Sequence, residues 1–315
     1  MTEDDRVAAV TAVVRWLWAD LSRRWWSLRW ESFQDDFVAD LDDMVGVVSE
    51  AQTMAAGFGA QFANDLVDGD VQVNPEAIAG TASDGRSLAG LLVQPMVQAF
   101  TAAGAGAPPA IALDFGAESL ERIVSTQVED AARAGEQVAM GGNDKVRGYL
   151  RVVEPKACGR CIILAGRFYR WNEGFDRHPQ CKCSHKPVIG DWVDADQDPR
   201  QMFEALSPAE QVRAFTKAGA EAIRLGADPA KVVNARRGME TATSPTGRQM
   251  LTRREVFGQR VFTTTEGITV RGPLKTRAAR KRKAPIRLMP ESILELAEDR
   301  TDAIRLLQLH GYIPN

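Results

Sequence analysis

Cysteine and histidine are scarce in this 315-residue chain, with four of the first and three of the second. All four cysteines and two of the histidines nevertheless fall within residues 158–185, CGRCIILAGRFYRWNEGFDRHPQCKCSH. No histidine precedes His178, so the N-terminal half offers no histidine as general base for a serine nucleophile. Neither G-x-x-x-x-G-K-[ST] nor a G-x-G-x-x-G following a strand occurs, which excludes the common phosphate-binding loops. The longest charge-free run, residues 87–113, is interrupted by Gln94, Pro95, Gln98 and Pro108–Pro109 and is not expected to span a membrane. The opening MTEDDRVAAV lacks the basic-then-apolar layout of a signal peptide. Together with a few crowded cysteines, this leads us to expect a soluble chain made in a reducing compartment, without a disulfide framework.

Composition is otherwise ordinary: 44% hydrophobic, 26% charged and a net charge of −3, which gives no overall nucleic-acid signature. In the first third, Val10, Val13, Val14, Leu17 and Leu21 repeat at helical spacing, as do Phe33, Phe37, Leu41, Met44, Val45 and Val48. Between them, WLWADLSRRWWSLRW holds five of the seven tryptophans among arginines. Trp18, Leu21, Trp25 and Leu28 would form one packing stripe, the reading we favour; the competing one is an aromatic, basic docking face. A turn at GTASDGRSLAG and a hinge at GAGAPP precede a helix that resumes at Ala117 and carries Leu120, Ile123, Val124 and Val128 on one face. KVRGYLRVV, GRFYRW and PVIGDWV are strand candidates around the cysteine cluster. SPAE at 207–210 is a capping box, predicting a helix to about Leu225, and Asp228–Pro229 starts a shorter one. RVFTTTEGITVRG reads as a β-hairpin turning at Glu266–Gly267, and two short helices close the chain.

Within the cluster the order is Cys158-x2-Cys161, sixteen residues, then His178-x2-Cys181-x-Cys183-x-His185. A C-x2-C pair presents two thiolates from one tight turn, and the distant half completes the closed tetrahedron of a structural zinc site. Six side chains compete for four positions. Cys158 and Cys161 lead, Cys181 follows, His178 or Cys183 is fourth, and His185 is the weakest candidate. A thioredoxin-type redox pair would need a βαβ context that is missing here. A catalytic zinc would need an open position and a general base, and nothing in the spacing of Glu154, Glu173 or Asp176 marks one.

The cluster, with Phe168 and Tyr169 between its halves and HPQCKC at its close, resembles the Mu F-type minor head (head-morphogenesis) proteins of tailed bacteriophages, whose knuckle closes on HP-x-C-[RK]-C. FTKAGAEAIRLGADPAKVVNARRGM and PESILELAEDRTDAIRLLQLHGYI resemble the following and final helical regions of relatives from phages of actinobacteria. The resemblance covers roughly residues 150–315, and the first third is similar only in helical character and tryptophan content. It implies a minor capsid protein in the virion, inside the head near the portal vertex. Its partners would be the portal and major capsid proteins, and it would act in assembly, DNA packaging or ejection. It also implicates Cys158, Cys161, His178 and Cys181 in the knuckle, with Cys183 as its variable neighbour. Some relatives are joined to maturation proteases, but the missing histidine argues for a non-enzymatic chain here.

The fold expected is α+β, with a helical N-terminal region (1–115), a zinc-knuckle α/β domain (116–200), a helical pair (201–240), and a linker, hairpin, basic segment and terminal helices (241–315). In the basic segment (271–287), Arg277, Arg280, Lys281, Arg282 and Lys283 would meet packaged DNA through its phosphates, with affinity falling steeply in salt. The alternative is a solvated linker. Two other functions compete: a zinc-knuckle nucleic-acid-binding protein outside any virion, and a zinc hydrolase or toxin component.

Overall fold

The computed structural model describes residues 1–153, 157–175, 178–179, 181, 183–190, 198–239, 241–243, 249–256, 258–266 and 287–314. The fold is α+β. Contacts divide the chain into two compact units, residues 1–152 with 167–195, and residues 153–166 with 196–315.

The first unit is a helical bundle carrying a small sheet. Helix α1 (Glu3–Ser27) opens with a capping box between Thr2 and Asp5, and Glu3, Asp4 and Asp5 complement the positive end of its dipole. Helices α2 (Phe33–Val67), α3 (Leu88–Leu92), α4 (Gln94–Gly104) and α5 (Pro109–Gly141) follow. Helix α5 begins earlier than the apolar spacing suggests, because Pro109 at its first position supplies a preset φ and no wasted N–H. The boundary drawn at 115/116 therefore falls inside a continuous helix.

The heptad-like stripes meet in one core. Val10, Val13, Leu17, Leu21 and Trp25 of α1 pack with Phe33, Phe37, Met44 and Val48 of α2 and with Leu120, Val124 and Val128 of α5. Trp25 meets Phe33 and Phe37 edge-on, with centroids 5.4 and 6.0 Å apart, and its indole N–H donates to the carbonyl of Leu113 at 3.1 Å. Helices α2 and α5 approach so closely that a Cβ at Gly59 would overlap the carbonyl of Ala132, and one at Gly135 that of Ala56. Only glycine permits that crossing.

Strands β1 (Val146–Val152), β2 (Phe168–Arg170) and β3 (Ser184–Ile189) form an antiparallel sheet in the order β2-β1-β3. The third strand starts three residues before the expected PVIGDWV segment, so it includes His185; residues 191–193 of that segment lie outside the described residues. Register pairs Arg151 with His185 and Tyr149 with Pro187. β3 packs on α2 and α5.

Among its described residues the second unit holds α6 (Gly159–Ile162), α7 (Pro199–Ala205), α8 (Pro208–Phe215), α9 (Lys217–Arg224), α10 (Pro229–Ala235) and three two-stranded sheets, closed by α11 (Pro290–Leu296) and α12 (Arg300–Leu309). The Ser207–Glu210 capping box is present. The single helix expected to reach Leu225 is instead broken at Thr216 (φ +67), whose hydroxyl accepts from the Gly219 amide and starts α9 afresh. The break seats buried Phe215 edge-on against Phe203, 5.3 Å away.

The hairpin also differs from expectation. β6 (Arg254–Val256) pairs with β7 (Gln259–Val261) across a turn that includes Gly258 (φ +78). β8 (Thr263–Thr264) pairs with β9 (Arg287–Leu288). β4 (Thr241–Thr243) pairs with β5 (Gln249–Leu251). Gly258 supplies the positive φ that a tight turn needs, and residues 267–272 of the expected hairpin lie outside the described residues.

At the end of this unit, buried Arg287 stacks 3.9 Å from the Tyr312 ring centroid and donates to the carbonyls of His310 (2.8 Å) and Glu266 (2.8 Å). Burial, reinforced by that guanidinium, pushes the His310 imidazole down to about 4. Because the folded value lies below the unfolded one near 6.5, the unfolded chain takes up its proton first as pH falls. The stabilisation from neutral His310 is therefore complete above pH 6.5 and lost progressively toward pH 4, on the order of 3 kcal/mol in all. Urea melts between pH 7 and 4 should show a shallower loss in His310→Gln than in the native chain. Parallel curves would remove His310 from the acid response.

Candidate metal centre

One turn of helix sets the first half of the cluster. Cys158 is the N-cap of α6, and the amides of Cys161 and Ile162 both donate to its carbonyl at 3.0 and 3.1 Å. Its two sulfurs therefore share a face, with Sγ atoms 3.8 Å apart. That separation is well beyond a disulfide's ~2.05 Å. It equals the edge of a tetrahedron with metal–sulfur bonds of ~2.3 Å, about 3.8 Å. Gly159 permits the turn's close seating, since a Cβ there would come within 2.7 Å of the Ala214 carbonyl.

The second half is a turn leading into β3, in which the Cys181 amide donates to the His178 carbonyl at 3.1 Å. His178 Nδ1 lies 2.8 Å from the Pro179 carbonyl oxygen, which can only accept. A proton on Nδ1 would serve that contact.

The ligand atoms of Cys158, Cys161 and His178 lie within 4.8 Å of one another, as do those of Cys161, Cys181 and Cys183. These five residues form a cluster able to hold a metal ion, and Cys161 belongs to both groups. His185 is in neither. Its Nδ1 faces Glu136 Oε2 at 2.5 Å, and its ring stands edge-on to Tyr149 with centroids 4.4 Å apart. Cys161, Cys181 and Cys183 are buried and Cys158 is partly so, which suits a closed structural site better than one open to substrate.

Around the second half lies a layer of buried charge that the sequence reading did not anticipate. Arg151 of β1 places Nη2 3.5 Å from Cys183 Sγ and 3.7 Å from Cys181 Sγ, with its guanidinium 4.2 Å from the Phe175 ring centroid. A cation at that distance favours negative sulfur, the form a metal binds. Arg133 donates from Nε to the Cys183 carbonyl at 2.6 Å and from Nη1 to Asp130 at 2.8 Å. Arg6 and His185 both engage Glu136, and all three side chains are at most 1% exposed. Burial alone would raise the Glu136 carboxyl. The Arg6 guanidinium and the His185 hydrogen bond outweigh it and hold the carboxyl at about 2.

One signal could have revealed this layer. Glu129, Arg133 and Glu136 recur at helical spacing within a run whose neighbours Val128 and Ala132 are core, so α5 carries charge on its inward face.

Arg277, Arg280, Lys281, Arg282 and Lys283 lie outside the described residues. Among the described residues no helix is long and apolar enough to cross a membrane. Comparison with protein-family models, with curated proteins and with solved structures found no match.

Proposed function

We propose that this chain is a structural component of a tailed-phage head, a minor capsid or head-morphogenesis protein whose knuckle is closed by zinc and whose place is at the portal vertex. The observation that carries the reading is the convergence of Cys158, Cys161, His178, Cys181 and Cys183. Their order along the chain is what resembles the phage proteins. Zinc is the metal of choice because thiolates, alone or with one imidazole, in a closed tetrahedral arrangement, are its preferred structural donors. Such a site has no vacant position for substrate, and its work is to stabilise.

The staple has a physical rationale. The strands beside it are short, at three to seven residues, and a metal would tie down the loops that flank them, its binding energy adding to folding. A portal-proximal protein in a DNA-filled head would find phosphate near its basic 271–287 segment.

The test is the copy number of this chain in purified virions, measured by quantitative mass spectrometry against the portal protein. A few copies per particle is the expected result. Absence from both virions and assembly intermediates would instead favour the nucleic-acid-binding reading.

A further inference from the structure

The tryptophan-rich stretch in α1 resolves into two faces. Trp25 is buried and Trp18 packs against the core, whereas Trp16 and Trp26 are 43% and 52% exposed. Arg15, Trp16, Ala19, Arg23 and Trp26 are all exposed and lie on one side of the helix, within about 100° of arc at 100° per residue. Core packing therefore accounts for only part of this stretch. The outward part is a basic, aromatic stripe, and Trp and Arg are the residue types most enriched at binding hot spots.

Helix α2 carries its complement. Asp35, Val38, Asp42, Asp43 and Glu50 are exposed on one side of its N-terminal half, Val38 at 54%. Between them, Ala39 and Gly46 leave a shallow floor, with nothing within 4 Å of where a Cβ at Gly46 would stand. Arg15 and Arg23 are eight residues apart, about 12 Å along the helix; Asp35 and Asp42 are seven apart, about 10.5 Å. The charges on the two stripes are opposite in sign and matched in spacing. Each stripe offers an apolar element, indoles on one and the Val38 trough on the other.

We infer that the partner of the α1 stripe is a second copy of this chain, presenting its α2 stripe. The interface sets Arg15 and Arg23 against Asp35, Asp42 and Asp43, and lays Trp16 and Trp26 over Val38, Ala39 and Gly46. Electrostatic complementarity sets the register, and indole burial supplies most of the affinity. The contacts already made on these stripes are exposed ones that can be exchanged. Arg23 pairs with Asp20 within its own helix while remaining 75% exposed, and Asp43 stands 3.9 Å from Arg24 at 78% exposure. This inference stands on the bundle alone, independent of the metal and of the phage reading.

Sedimentation of the full-length chain tests it. The native protein should self-associate in ~50 mM salt, with a dissociation constant weakened about tenfold in ~500 mM salt as the Debye length shrinks. R15E/R23E and D35K/D42K, all at exposed positions, should each be monomeric with unchanged circular dichroism. Mixing the two variants should restore association, because the reversed Arg stripe of one then meets the reversed Asp stripe of the other. A native chain that stays monomeric at ~100 μM in low salt overturns the inference, whether or not it binds DNA through Arg15 and Arg23. So do variants that associate like the native chain, and a mixture that remains monomeric.

Discussion

Cys161→Ser should abolish metal binding and unfold the segment around the knuckle, because Cys161 is the one residue common to both ligand groups. In a structural zinc site binding energy is folding energy, with apparent values of about 10–16 kcal/mol in zinc-finger peptides. Serine keeps the side-chain size but gives up the soft, deprotonated donor. Native mass spectrometry should show the native chain one zinc heavier than Cys161→Ser, and the variant should lose its cooperative thermal transition or lower it by tens of degrees. Cys181→Ser should behave alike. Of His178→Ala and Cys183→Ser, one should match these losses and the other keep the metal, which would name the fourth ligand. Retention of one zinc and a native melt by Cys161→Ser would contradict the assignment.

The second large effect is expected at Glu136. Its carboxylate is the anionic partner of Arg6 and accepts from His185, and all three side chains are buried. Glu136→Gln preserves shape and removes the charge nearest the buried Arg6 guanidinium, leaving it only the weaker attraction of Glu129 and Glu3. Breaking a buried pair on one side destabilises by about 3–5 kcal/mol, whereas replacing both partners with neutral groups is often close to neutral. Urea denaturation should therefore place Glu136→Gln far below the native chain and the double variant Arg6→Met/Glu136→Gln above the single one. A Glu136→Gln penalty of about 0.5 kcal/mol, the size of an ordinary surface change, would mean that water or another group compensates Arg6.

Much of the architecture was legible because it rests on local periodicity. The apolar stripes of α1, α2 and α5 identified core residues such as Leu17, Phe37, Val48 and Val124, and Ser207 with Glu210 announced α8. The three strands around the cluster were foreseen, though not that β3 would begin at Ser184 and carry His185 into the interior. What escaped was set by distant partners. The break at Thr216 depends on a left-handed residue that propensity does not favour. The strand exchange that pairs Thr263–Thr264 with Arg287–Leu288 joins segments more than twenty residues apart. The buried charges were hidden for the same reason: Arg6, Glu136 and His185 are far apart in sequence, and each reads alone as a surface residue. Among the tryptophans, spacing separated inward Trp25 from outward Trp26 once the helix phase was fixed by Leu17 and Leu21.

The phage reading and the account of the knuckle both depend on a metal held by this cluster, so the metal itself is the most direct test. Elemental analysis should be made on the full-length chain purified without chelator, together with its melting curve before and after exposure to a strong chelator. The account predicts about one zinc per chain and a loss of the cooperative melt on its removal. A folded chain that contains no metal and melts identically after chelation would contradict it.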